Sequence, residues 1–308
     1  NSINQNALRY AINLSAGSLS RANTINQHCY GLDYFNKILS LMQHYDARED
    51  QLIAQLNHMK ELLLCNQGAH SVITCDTTEY SAHVENGLYG LCDLACKPFT
   101  PWKGDIAVPN TPSQAKIIAA PVAFTAKSFA TVSYTHPSAP AIAIAANLFE
   151  NKVLHTRIRE QGGAYGAGAS YSAMTGSFYF YSYSDPHIAS SLFAFEESIH
   201  TILNGTFTDN DLEEAKLGMI QGLDAPVSPS GRGDVAYAWW REGKDMMKRM
   251  HFRNCILDLT KADVIYAVEH YIKPPFSKGT VVTFAKQELI QQENKKLGSG
   301  ALTMSHVF

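Results

Sequence analysis

A proline-rich stretch divides the sequence into two parts with different patterns. Lys97 to Gln114 reads KPFTPWKGDIAVPNTPSQ and contains four prolines. Because proline lacks the backbone N–H that a helix interior or a central strand needs, neither element can run through this stretch. A chain of 308 residues is long enough for two ordinary domains. We therefore predict one domain over residues 1–105 and a second over residues 111–308.

The first part is predicted to be mostly helical. Apolar residues recur at helical spacing in LDYFNKILSLM and again in EDQLIAQLNHMKELLL. One short apolar run, HSVITCD at residues 70–76, is typical of a strand and interrupts the helices.

The second part alternates between strand and helix patterns. AKIIAAP, KSFATVSYTH and KGTVVTFA are typical of strands, and TDNDLEEAKLGMIQGL opens with a helix-capping signal at Thr208. A long helix is predicted over APAIAIAANLFENKVLHTRIRE, with Gly162 as the left-handed residue that ends it. The inner face of this helix is predicted to carry Ile142, Ala146, Phe149 and Val153.

A hairpin is predicted from AYGAGASYSA and GSFYFYSYS, with its turn around Met174 to Gly176. In the second strand, phenylalanines and tyrosines alternate with a period of two, so they face opposite sides of a sheet. The Phe face suits a core, and the Tyr face suits a wall that meets water or a ligand. The predicted fold class is α+β, with a mixed, largely antiparallel sheet and helices packed mainly on one face.

Composition restricts the partners and the compartment. A net charge of -3 gives no nucleic-acid signature. The six cysteines contain no CxxC pair, which favours a reducing, intracellular compartment such as a bacterial cytoplasm or an organelle matrix. No apolar run approaches the ~20 residues of a membrane helix. The start, NSINQNALRY, lacks an initiator Met and a signal-peptide pattern, so we expect a piece of something longer.

Several kinds of catalytic site are excluded by missing or misplaced motifs. The glycines from Gly162 to Gly168 follow a helix and open a strand, the reverse of a dinucleotide loop. No GxSxG elbow is present, and neither HExxH nor HxxEH occurs. We expect this chain by itself to hold no catalytic metal and to be inactive alone.

Arg159 and Tyr165 are six residues apart across a Gly-Gly turn, and they allow two interpretations. In the simpler one, Arg159 complements the negative end of its helix and Tyr165 packs in the sheet. In the functional one, guanidinium and phenol are two hydrogen-bond donors held at a rigid junction. They could then bind a peptide carbonyl and stabilise the oxyanion that forms on it.

At these residues the sequence resembles a known family. RIREQGGAYG, followed by SYSAMTGSFYFYSYSDPH, is similar to the C-terminal half of the pitrilysin/insulinase zinc proteases, in particular the presequence-protease branch. In that family an R-x-Q-G-G-A-Y segment supplies an arginine and a tyrosine to the active site. The resemblance implies catalytic roles for Arg159 and Tyr165, and substrate-binding roles for Gln161, Gly162, Gly163 and Ala164.

The resemblance also implies an architecture and a function. Residues 1–105 would be the helical C-terminal part of a third family-type domain, and residues 111–308 a fourth, of the mitochondrial-processing-peptidase-like α+β kind. The implied function is the substrate-binding half of a zinc oligopeptidase that degrades short unstructured peptides inside a closed chamber. Its partner would be the N-terminal half, which binds the zinc, and neither nucleic acid nor membrane is expected. Two alternatives stay open: a non-catalytic scaffold or assembly subunit of the same fold, and an unrelated small α/β enzyme.

Overall fold

The computed structural model describes most of the chain, and helices dominate it. It covers residues 2–65, 67–94, 96–98, 104–298 and 301–307. A π-helix, Glu150–Glu160, continues directly from α6, and a 3₁₀ segment occupies Gly87–Asp93. The α-helices are α1 Ser2–Ala16, α2 Arg21–Tyr30, α3 Leu32–Gln43, α4 Tyr45–Leu63, α5 Thr77–Glu85, α6 Ala139–Phe149, α7 Ala189–Leu203, α8 Asp209–Leu223, α9 Arg232–Arg241, α10 Met246–Asp258, α11 Lys261–Tyr271, α12 Lys273–Phe276 and α13 Gln287–Leu297.

The described part of the chain contains one six-stranded mixed sheet. Its strands are β1 Gln114–Ile117, β2 Ala123–Ala130, β3 Gly166–Ser172, β4 Ser177–Asp185, β5 Thr280–Ala285 and β6 Thr303–His306. Their order is β3-β4-β2-β5-β1-β6. The pairs β3/β4, β4/β2 and β2/β5 are antiparallel, whereas β5/β1 and β1/β6 are parallel. The predicted α+β class with a mixed sheet is confirmed.

The two faces of the sheet differ as the Phe/Tyr alternation predicts. Phe129, Phe178 and Phe180 point to one face, where they form the largest buried cluster with residues of α6, α7 and α11. On the opposite face, α1 covers the middle of the sheet, and Tyr10 packs on Phe284 with ring centroids 6.5 Å apart. Most of the helices that pack on the sheet therefore lie on the Phe face.

The chain divides into two compact units. One consists of Asn1–Asn36, Ile106–Asp224 and Met247–Phe308, and the other of Lys37–Asp105 and Ala225–Met246. The junction at Asp105 lies inside the proline-rich stretch, of which residues 99–103 lie outside the described residues. Neither unit is continuous along the chain. The assignment of residues 1–105 and 111–308 to a third and a fourth family-type domain stays a prediction.

Two sequence predictions about elements need correction, and one strand was missed. HSVITCD forms no strand, because residues 70–76 are exposed and pair with no strand in the described part of the chain. The strand predicted from KSFATVSYTH is β2, which begins earlier and ends at Ala130, where the chain turns away from the sheet. The short strand β6 was not predicted, since TMSH has no buried residue and no apolar alternation.

Candidate functional site

The helix that carries Arg159 changes type before it reaches the site. After Phe149 it continues as a π-helix, and the N–H of Gln161 donates to the carbonyl oxygen of Thr156, five residues earlier, at 2.9 Å. Its inner face stays apolar, because Val153, Leu154 and Ile158 are buried. Segments of π-helix are frequently found at functional sites. Arg159 lies in the last turn of this π-helix.

A tight reversal joins this helix to β3. Gly163 has a φ of 76°, so it is the left-handed residue, and the prediction that Gly162 takes this conformation is wrong. Gly162 is a glycine for another reason: a Cβ there would lie 2.6 Å from the carbonyl oxygen of Ile158. The N–H groups of Gly163 and Ala164 donate to the carbonyls of Arg159 and Ile158, both at 3.1 Å. These bonds close the helix end and aim the chain back toward the sheet.

The reversal brings Arg159 and Tyr165 to one open depression. It has a volume of about 660 Å³ and is lined by His155, Arg159, Glu160, Gly163, Ala164, Tyr165 and Ser184. The Tyr165 side chain is 74% exposed, and Arg159 is exposed as well. Most of Tyr165 therefore faces solvent, whereas the simpler interpretation expects it to be packed in the sheet.

Arg159 is held by a histidine one helical turn before it. Its Nη1 lies 3.2 Å from His155 Nε2, and His155 Nδ1 lies 3.4 Å from Glu160 Oε1. Because a guanidinium can only donate, Nε2 accepts in this contact, and the imidazole proton faces Glu160. Sequence reasoning missed His155 and Glu160, although the spacing of four between His155 and Arg159 on a helix is a usable signal.

Tyr165 is positioned by the end of β4. Its ring meets that of Tyr183 edge to face at 5.7 Å, and its N–H donates to the carbonyl of Ser184 at 3.4 Å. Ser184 adopts a φ of 50°, a left-handed conformation that costs free energy for a residue other than glycine. Strained residues of this kind tend to cluster at functional sites.

Asp185, the buried residue that follows Ser184, anchors the strained turn. Its fully buried carboxylate accepts from the N–H of His187 at 2.9 Å and from the Ser191 hydroxyl at 2.5 Å. Burial raises the pKa of Asp185, while these hydrogen bonds oppose the rise. Ser184 and Asp185 were missed in the sequence, because no local pattern marks a strained turn.

The four residues predicted to bind substrate lie in different environments. The side-chain oxygen of Gln161 accepts from Arg157 at 3.2 Å, and Arg157 is paired with Glu197 at 2.6 Å. The methyl group of Ala164 is buried in the core. Gly163 and Ala164 line the depression, whereas Gln161 and Gly162 do not. Direct substrate contacts of these four residues stay a prediction.

The depression offers hydrogen-bond donors from Arg159 and Tyr165. Among the residues that the structure describes, no group of three or more His, Cys, Asp or Glu side chains is placed to hold a metal ion. No described helix combines the length and the apolar character that a bilayer span requires. Guanidinium and phenol instead form a pair suited to a carbonyl oxygen or an oxyanion.

Comparisons with known proteins relate the chain as a whole to a family. The family model described as "PreP C-terminal domain" matches residues 116–285. The mitochondrial presequence protease of Kluyveromyces lactis is 32% identical over 282 residues, and that of Saccharomyces cerevisiae 31% over 283. Each of these alignments covers 89% of this chain and 28% of the relative. The chain therefore spans little more than a quarter of the length of these relatives.

One further relative and one solved structure extend the comparison. The presequence protease of Xenopus tropicalis is 38% identical over 152 residues, which is 49% of this chain and 14% of the relative. A peptidase M16 inactive domain from Pseudomonas fluorescens shares the fold, with a TM-score of 0.51 at 15% identity, covering 68% of this chain and 51% of that one. The family match over more than half of the chain identifies it as a member of the presequence-protease branch of the M16, or pitrilysin/insulinase, zinc peptidases, in which it corresponds to the C-terminal domain.

Proposed function

We propose that this chain is the C-terminal, substrate-binding half of a zinc oligopeptidase that degrades short unstructured peptides inside a closed chamber. The observation that carries the proposal is the joint exposure of Arg159 and Tyr165 at one depression, where neither serves the core of its own unit. The N-terminal half of the same protein would be the partner and would carry the zinc. No residue of this chain is assigned to the metal.

The zinc that the N-terminal half would hold would supply Lewis-acid activation of the attacking water. Arg159 and Tyr165 donate hydrogen bonds to the carbonyl oxygen of the peptide bond. Negative charge grows on this oxygen as the tetrahedral intermediate forms, so the two donors bind the transition state more tightly than the substrate. His155 holds the guanidinium in place, and the Ser184 turn holds the phenol.

The names of the relatives support a proposal for where the chain is located. The matched curated proteins are named mitochondrial presequence proteases, which supports an organelle matrix as the location of this chain. Neither nucleic acid nor a membrane is part of the proposal.

The test is the variant Tyr165→Phe in the complete peptidase, either full-length or reconstituted from this chain and the zinc-binding half. The variant removes one donor from an exposed ring, so Tm should stay unchanged. By analogy with the loss of an oxyanion donor, kcat/KM for an unstructured peptide should fall about a hundredfold, or ~3 kcal/mol. Tyr30→Phe is the matched control, because Tyr30 is also exposed, at 64%.

Two results would contradict the proposal. Unchanged turnover in Tyr165→Phe would remove the phenol from the reaction. Zinc-dependent cleavage by this chain alone would remove the need for a second half. The alternative of a non-catalytic scaffold subunit predicts no turnover in the complete protein, and the same assay detects this.

A further inference from the structure

The Tyr face of the outer hairpin forms a platform beside the depression. On this face the register places each tyrosine of β4 opposite a small residue of β3. The pairs are Gly166 with Tyr183, Gly168 with Tyr181 and Ser170 with Tyr179. Because Tyr165 packs on Tyr183, the platform is continuous with the depression.

A glutamate from the π-helix reaches this platform at Gly168. The point where a Cβ of Gly168 would lie is 2.8 Å from Glu150 Oε2 and 2.7 Å from the Tyr181 hydroxyl oxygen. The carboxylate and the phenol therefore both approach the glycine, in a space that any other side chain would fill. The ring of Tyr179 lies next along β4, with its centroid 6.2 Å from that of Tyr181.

The Glu150 carboxylate is partly buried and lacks a strong cation. Within the described residues, neither a lysine nor an arginine forms an ion pair with it. Burial raises the pKa of Glu150. Removing a carboxylate from water without a paired cation is unfavourable. A cation from outside this chain could therefore pair with the Glu150 carboxylate.

We propose that Glu150, with Tyr179 and Tyr181, forms a subsite for one positively charged group of the peptide substrate. The carboxylate would pair with an ammonium or guanidinium group, and the aromatic rings would add cation–π attraction. The cation is a lysine or arginine side chain of the peptide, or its amino terminus. This inference rests on the proposed function, because it needs a peptide in the depression.

The distance along the sheet fixes where this charge lies in the substrate. Gly168 follows Tyr165 by three residues, and an extended chain advances about 3.3 Å per residue, or ~10 Å in all. An extended peptide whose scissile carbonyl meets Arg159 and Tyr165 would then bring a residue about three positions away over Gly168. The subsite therefore selects for a charge at one position rather than for a basic peptide in general.

The test uses unstructured, N-acetylated peptides that carry one lysine, or a glutamine in its place, at each position around a single cleavable bond. One of these peptides carries its lysine three residues from the residue whose carbonyl is attacked. The complete peptidase should cleave this peptide with a kcat/KM about tenfold higher than that of its glutamine partner. Glu150→Gln should bring this ratio to about one, and Glu150→Lys should favour a glutamate at that position. Glu288→Gln, at an exposed glutamate outside the proposed subsite, should leave the ratio unchanged.

A second arm identifies the source of the charge. Peptides without lysine are compared with a free and an acetylated amino terminus, placed at the same distance from the cleaved bond. A preference for the free amine that Glu150→Gln removes supports the subsite with the terminus as its ligand. If the enzyme cleaves the peptides but neither preference depends on Glu150, the subsite is wrong while the proposed function stands. If the complete protein cleaves none of them, the proposed function fails and the subsite fails with it.

Discussion

Gly162 and Gly163 are glycines for different physical reasons. At Gly163 the backbone is left-handed, but a Cβ would have space, since the nearest atom, Pro186 Cγ, is 3.9 Å away. At Gly162 a Cβ would collide with the carbonyl of Ile158 at 2.6 Å. The tight turn that brings Arg159 and Tyr165 together therefore needs a residue that tolerates a left-handed backbone at position 163 and a residue without a Cβ at position 162.

We expect Gly162→Ala to destabilise the chain more than Gly163→Ala. In Gly162→Ala the new methyl group displaces the carbonyl of Ile158, which should lower the free energy of unfolding by ~3 kcal/mol. In Gly163→Ala the only cost is that alanine must adopt a left-handed backbone conformation, which should lower it by ~1 kcal/mol. Urea titration of the purified variants measures both. Gly218→Ala is the control, because a Cβ there meets nothing within 4 Å. Gly218 lies inside a helix, so this variant should gain ~0.5–1 kcal/mol. The reverse order for the first two would contradict the geometry.

Lys127 is a cation on the Phe face of the sheet. Its Nζ lies 3.5 Å from the centre of the Phe276 ring, and burial lowers its pKa to about 8, opposed by Glu196. The unfolded chain, with the ordinary value of 10.5, binds more protons than the folded chain between these two values. Stability should therefore rise with pH across this window.

We expect Lys127→Met to abolish that rise and to raise the unfolding free energy at pH 7 by ~1 kcal/mol, because the cost of burying the ammonium disappears. The measurement is urea unfolding from pH 7 to 11, taken as the difference from wild type. Lys278→Met, at an exposed position, should follow the wild-type pH curve. If stability rose equally with pH in wild type and in Lys127→Met, Lys127 would not be the cause of the rise.

At the scale of elements, interactions at helix ends determine where the helices begin and end. The long helix begins as α6 and ends as a π-helix, while α8 begins with the capping box predicted at Thr208. In this box the N–H of Asp211 donates to the Thr208 hydroxyl at 3.1 Å, and Asp211 accepts from the N–H of Thr208 at 2.6 Å. Lys152, on the π-helix, pairs with Asp211 at 3.0 Å and so ties the two helices together.

This capping box should make stability depend on acid pH. The hydrogen bond from the backbone of Thr208 is the main cause that lowers the pKa of Asp211, from 3.8 to about 2. Its contribution is complete above pH 3.8 and is lost as the pH falls toward 2. Asp211→Asn should cost ~1 kcal/mol at pH 7, and the difference from wild type should shrink to near zero at pH 2. Asp209→Asn, in the same first turn, should cost only ~0.3 kcal/mol. A cost for Asp211→Asn that does not change with pH would contradict this account.

At the scale of the whole molecule, the two compact units differ in how well their helices are buried. In the sheet-containing unit, β2 and β4 lie between helices and carry fully buried phenylalanines. In the other unit, α4 runs for 19 residues without one buried side chain. Its exposed apolar residues include Ile53, Leu56, Met59 and Leu62.

Amide hydrogen exchange should separate the units. We expect the amides of α4 to exchange through local opening, at free energies several kcal/mol below those of β2 and β4, because little apolar contact holds the helix. Mass spectrometry of peptic fragments after deuterium labelling of the purified chain measures this. The partly buried helix α8 is a useful comparison inside the sheet-containing unit, and its capping box should give it intermediate protection. If α4 exchanged only with global unfolding, the burial pattern would not describe its stability.

The sequence by itself determined the elements whose signals are local. Alternation of Phe and Tyr decided the faces of β4, and a capping pattern decided the start of α8. The motif around Arg159 and Tyr165 was also visible, because its residues lie within one short segment.

Only the tertiary structure decided what surrounds that motif. Glu150 lies more than two helical turns before Arg159 and Ser184 lies on a different strand, and no spacing along the chain relates Ser184 to Tyr165. Whether Gly162 or Gly163 is left-handed depends on hydrogen bonds back into the helix, and HSVITCD forms no strand because no partner pairs with it. A side chain's neighbours are set by free energies of packing and hydrogen bonding summed over segments distant in sequence, so local patterns can specify an element but not the site that several elements build together.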